Sequence, residues 1–98
     1  MAARAGVRGA EHRTPGRVTW PRETLRGLDS TLLAVVSQGA WEYLHGAGAA
    51  LSARHIEAFA QLVAAPEGGG CSLPRGARFS VEQDLCSLVD AQTAAKER

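Results

Sequence analysis

A chain of 98 residues with a net charge of +1 holds one small domain, burying about 60% of the surface its unfolded form exposes, and leaves no room for a nucleotide-binding domain beside it. The charge is uneven: residues 1–26 carry six arginines against Glu11 and Glu23, a net +4, whereas residues 27–98 carry five Lys and Arg against eight Asp and Glu, a net −3. No run approaches the ~20 apolar residues of a membrane-spanning helix, and the basic opening lacks the apolar segment of a secretory signal. The expectation is a cytoplasmic chain with no membrane partner.

Residues 1–27 mix Gly, Pro and Arg with isolated hydrophobes and show no period of 3.6 or 2. Such a stretch buries too little apolar area to offset its ordering entropy, which predicts a disordered basic arm with Trp20, before Pro21, as its one anchor. The first helix is expected from Asp29, whose carboxylate accepts from the free amides of the next turn. Leu33, Val36, Ala40 and Leu44 form its apolar stripe, broadened by Leu32 and Tyr43. Gly39 costs that helix about 1 kcal/mol against Ala, and Gly46 or Gly48 supplies the left-handed residue that ends it.

Ser52 caps a second helix, and Leu51 with Ile56 makes the hydrophobic staple at its start. Ile56, Phe59, Ala60 and Val63 form the apolar face, Arg54, Glu57 and Gln61 the exposed one, and Pro66 stops the helix. Residues 67–70 read as a flexible glycine break. Residues 71–73 and 77–83 then read as strands of a hairpin turned by Pro74, Arg75 and Gly76. Ala77, Phe79 and Val81 alternate with Arg78, Ser80 and Glu82, one face apolar and one polar. A third short run, residues 85–89, follows a turn at Gln83 and Asp84, and residues 91–98 read as a frayed polar tail. The predicted fold class is α+β: a small single domain over residues 28–90, two packed α-helices followed by a short antiparallel β-hairpin, between the basic arm and the tail.

Little in this sequence points to catalysis. His12, His45 and His55 have no spacing that brings one to a serine or to Cys71, and no metal-ligand spacing occurs. Cys71 and Cys86 fall on the two arms of the expected hairpin and read as small apolar strand residues, with cross-strand pairing left open. Gly27, Asp29 and Ser30 resemble the second half of the phosphate loop of N-type ATP pyrophosphatases, in which glycine amides and a serine hydroxyl hold pyrophosphate. Leu25 and Arg26 replace the first serine and glycine of that motif, and an ordinary Asp cap is the competing reading. Trp41 and Phe59 read as core rather than as base-stacking aromatics.

The order of the stretches Tyr43-Leu44-His45-Gly46, Leu51-Ser52-Ala53-Arg54-His55-Ile56-Glu57 and Leu73-Pro74-Arg75-Gly76-Ala77-Arg78-Phe79 resembles the segment that follows the ATP-using domain in tRNA-isoleucine lysidine synthetases. Members of that family attach lysine to the wobble cytidine of an isoleucine tRNA after adenylating it with ATP. The chain departs from the family at Arg75, where glycine is common, and in the helix after Asp29, which holds no arginine. The resemblance implies a partial, tRNA-contacting region without the catalytic domain. It needs no cofactor of its own, ATP and lysine being used by the full-length family. The implied partners are tRNA and either a separate ATP pyrophosphatase domain or a second copy of this chain. By position, Arg54, Arg75 and Arg78 are the residues that reach phosphates. A stand-alone helical adaptor docking a protein through Leu32, Val36 and Tyr43 is the alternative. A helix-turn-helix reader ranks last, because residues 56–63 are apolar where base-reading side chains belong.

Overall fold

The structure is a computed structural model and describes residues 10–96. Its elements are β1 (His12–Thr14), β2 (Arg17–Pro21), α1 (Arg22–Arg26), α2 (Ser30–His45), α3 (Ala53–Ala64), β3 (Gly69–Ser72), a 3-10 turn (Pro74–Gly76), β4 (Arg78–Val81), β5 (Leu85–Val89) and α4 (Ala91–Lys96). The class is α+β, with a wider sheet than the expected hairpin: five antiparallel strands in the order β1-β2-β5-β4-β3.

The two long helices follow their local signals. Asp29 accepts from the Leu32 amide at 2.8 Å, and α2 ends where Gly46 takes a φ of 101°. Ser52 caps α3 through the His55 amide, and the helix closes at Ala65, before Pro66. Between the helices, Gln38 clamps the loop: its amide donates to the Ala49 carbonyl at 2.6 Å and its oxygen accepts from the Leu51 amide at 3.0 Å.

Residues 10–27 differ from the arm expected of them; residues 1–9 lie outside the described part. Pro15 and Gly16 form a two-residue hairpin loop, with Gly16 at φ 79°, and register Thr14 against Arg17. A proline-glycine pair suits such a loop because proline presets one dihedral and glycine accepts the positive φ. Strand β2 then lies inside the sheet, paired with β5 from Arg17 to Pro21. Val18 and Trp20 are fully buried while Arg17, Thr19 and Pro21 alternate with them. The stretch around Trp20 is therefore a core strand. Its two apolar positions are too few to reveal a period among arginines and prolines, and pairing with β5, near the other end of the chain, places them inside the sheet.

Short α1 is held by arginines. Arg22, 7% exposed, donates to the carbonyls of Ala65 and of Glu67 (3.0 Å), and Arg26 donates to those of Val63 (3.0 Å) and Ala65. Two cations thus sit at the C-terminal end of α3, where carbonyls lack helical partners and the helix dipole favours positive charge. The core lies between the helices and one sheet face. Phe59 of α3 meets Trp20 edge-on with ring centres 5.9 Å apart, and stacks on Phe79 at 3.9 Å. Leu25, Leu33, Ala40, Trp41, Leu51, Val63 and Leu88 complete it.

Three smaller expectations are also revised. Gly69 and Gly70, assigned to a flexible break, begin β3. Residues 91–96, expected to fray, form α4, whose first turn is capped by Asp90 accepting from the Thr93 amide at 2.9 Å; residues 97–98 lie outside the described part. On α2, Trp41 is buried as its core reading expected, Ser37 joins Leu33 and Ala40 in the buried set, and Tyr43, placed on the apolar stripe, is 42% exposed beneath the Arg13 guanidinium.

Candidate nucleic-acid interface

Alternation along each strand divides the sheet into two faces, and directly paired residues share a face. With Val18, Trp20, Phe79, Val81, Cys86 and Leu88 turned to the helices, the other face carries the remaining set. Across all five strands, Thr14, Arg17, Val89, Arg78 and Ser72 stand in one row, and His12, Thr19, Ser87, Ser80 and Gly70 in the next. This face is polar, and two arginines flank Val89. An open cleft of about 400 Å³ lies on it, lined by Arg17, Arg78, Ser72, Ser80 and Glu82 with Ala94 of α4.

Arg78 has a defined seat there. A Cβ added at Gly70 would lie 2.9 Å from Nη2 of Arg78 and 3.4 Å from its Cζ, so the guanidinium lies against the bare backbone of the neighbouring strand. Arg17 stands in the same row two strands away, and Glu82 is the acidic group of the lining. At the margin, Arg75 occupies the left-handed region at φ 61° and Gly76 follows at φ 76°.

The arginines singled out from the sequence are divided by the fold. Arg78 faces the cleft, and Arg75 sits in the turn beside Gly76, which lines it. Arg54 is exposed on the first turn of α3, in the layer covering the opposite face of the sheet. Arg17, assigned to the arm, joins Arg78; the Pro15-Gly16 turn pair is the one local signal beside it, and Val18 and Trp20 alone are too few to mark the strand. Asp29 and Ser30 are exposed at the start of α2, where Asp29 already caps the free amides, and Gly27 has an ordinary right-handed φ of −78°. A phosphate approaching that helix end meets a carboxylate that holds the donors it needs.

The cysteines stand on β3 and β5 with β4 between them, both free. Two strand spacings, about 9.5 Å, exceed the reach of a disulfide. Burial pushes the Cys86 thiol up to about 11 against the opposing influence of Arg22 and Arg26. Burial also raises Cys71, offset in part by Arg78. Neither is poised as a thiolate nucleophile. Of the proposed docking stripe, Val36 packs against the core and Leu32 is half-buried, so Tyr43 does not continue a free apolar surface. Among the described residues, no helix is long and apolar enough to cross a membrane, and no group of three His, Cys, Asp or Glu is placed to hold a metal ion. Comparison with family models, with curated proteins and with solved structures found no match to this chain.

Proposed function

We propose that the chain is a tRNA-contacting module of the kind that accompanies the catalytic domain in tRNA-isoleucine lysidine synthetases, and that ATP, lysine and the ligation chemistry belong to that separate domain. The observation that supports this reading most directly is the backbone of the turn between β3 and β4. Arg75 and Gly76 are consecutive left-handed residues, the conformation glycine adopts without steric cost. The family motif reads Leu-Pro-Gly-Gly at this point, and two consecutive left-handed positions are ones that a Gly-Gly pair would fill without strain, although the first is arginine here. The arginine-bearing sheet face agrees with a binding role.

The experiment is a titration of the purified chain against a minor isoleucine tRNA and an unrelated tRNA at two salt concentrations. Specific binding that weakens steeply as salt rises is the expected result, because each neutralised phosphate releases counterions. Absent binding, or equal weak binding to both tRNAs, would sink the tRNA reading.

A further inference from the structure

The two sheet faces are used differently, and the face away from the helices combines three features. It is polar, it bears Arg17 and Arg78 in one row, and it is indented by the cleft between them. An arginine on an exposed strand ordinarily samples many rotamers, and holding it still costs side-chain entropy. Here Gly70 removes the side chain that would occupy the neighbouring site on β3, and the Arg78 guanidinium lies in that space, with Ser72 of β3 and Ser80 of its own strand lining the cleft beside it.

We infer that this cleft is a phosphate subsite for a polynucleotide backbone, with Arg78 as the residue that contacts the phosphate and Gly70 as the position that seats it. The inference rests on the tRNA reading and assigns its contact to one face of the sheet. A planar guanidinium suits phosphate oxygens because its donors form a rigid fork. Ser72 and Ser80 supply hydroxyl donors in the same cleft, and Arg17 adds a second positive charge across Val89. Glu82 opposes an anion, so the cleft binds phosphate against a local negative charge. Neither base-reading nor catalysis is assigned to it. Arg54, in the other layer, lies outside the subsite.

Substitution at Gly70 separates the seat from the fold. Its φ is not in the positive region, and the nearest atom an alanine Cβ would meet is the flexible end of Arg78, with the Phe79 carbonyl next at 3.2 Å. Gly70→Ala is expected to displace the guanidinium, at the cost of the Phe79 carbonyl yielding by a few tenths of an ångström.

The test uses the full chain and its Arg78→Ala, Arg78→Lys, Gly70→Ala and Glu82→Gln variants, each checked by thermal unfolding. Inorganic phosphate is titrated first by amide NMR, then the isoleucine tRNA across a salt series. The expected result is that phosphate shifts the amides of residues 70, 72, 78 and 80. Arg78→Ala and Gly70→Ala both weaken tRNA binding and lower the slope of log affinity against log salt by about one; Arg78→Lys retains the slope, and Glu82→Gln tightens binding. Should the wild-type chain bind tRNA while Arg78→Ala leaves affinity and slope unchanged, the subsite is overturned and the tRNA reading stands. Should phosphate shift the cleft while no tRNA binds at either salt, the polynucleotide assignment is overturned together with the tRNA reading. Should Gly70→Ala fail to fold, the Arg78→Ala and Arg78→Lys pair decides by itself.

Discussion

Arg75 carries the clearest local conflict in the chain. A side chain in the left-handed region costs roughly 1–2 kcal/mol that glycine avoids, and Arg75 sits there at φ 61°. Arg75→Gly is expected to stabilise the fold by about 1 kcal/mol after glycine's greater unfolded entropy is counted, raising the melting temperature by about 5 °C. The same variant reports on function, because a fall in tRNA affinity despite higher stability marks Arg75 as a phosphate contact. The cysteines give a second residue-level expectation. Cys86 is fully buried and pushed up to about 11, whereas Cys71 is partly exposed. A thiol reagent at pH 8 therefore modifies Cys71 first and reaches Cys86 at the rate of unfolding, which mass spectrometry with and without denaturant distinguishes. From sequence, both residues read correctly as small apolar strand positions. Their separation by β4 did not, since that depends on which strands pair.

At the level of elements, α1 depends on charge rather than on length. Five residues are too few for an isolated helix to persist in water, and α1 is tied to the end of α3 by Arg22 and Arg26. Arg22→Ala leaves the carbonyls of Ala65 and Glu67 without this buried donor, and a loss of roughly 2–4 kcal/mol is expected in denaturant unfolding. Helix α4 is also tied down rather than frayed. The Asp90 amide donates to the Gly16 carbonyl at 3.0 Å, and its carboxylate caps the helix. The Thr93 amide hydrogen bond is the leading cause that holds the Asp90 carboxyl below its ordinary value; desolvation opposes it, and the Thr93 hydroxyl and the charges of His45 and Lys96 assist. A carboxyl depressed in the folded state contributes stability above its unfolded value, near 3.9, and loses that contribution as pH falls through its lower folded value. Protection of the Ala94 amide should therefore hold at pH 6 and decline below about pH 4, and Asp90→Asn should flatten that dependence.

The whole molecule is organised around β5, which pairs with β2 on one side and β4 on the other. Strand β2 belongs to the region that composition marked as an arm, and it places Val18 and Trp20 in the core. A chain beginning at Leu28 should consequently lose cooperative thermal unfolding and bind a hydrophobic dye, rather than fold as an independent helix-helix-hairpin unit. Preserved cooperativity in that truncated chain would contradict the five-stranded arrangement.

The parts legible in the sequence are those whose physical cause is local. Asp29, Ser52, Gly46 and Pro66 set the ends of α2 and α3 because caps act within three or four residues, and Pro74-Arg75-Gly76 turns the chain for the same reason. The alternation at residues 77–81 is legible because a half-buried strand repeats every two residues. The placement of β1 and β2, the separation of Arg54 from Arg78, and the seat of Arg78 on Gly70 were decided only when the strands paired. Those features arise from contacts between segments far apart in the chain, and no short-range pattern encodes which strand a given residue will face.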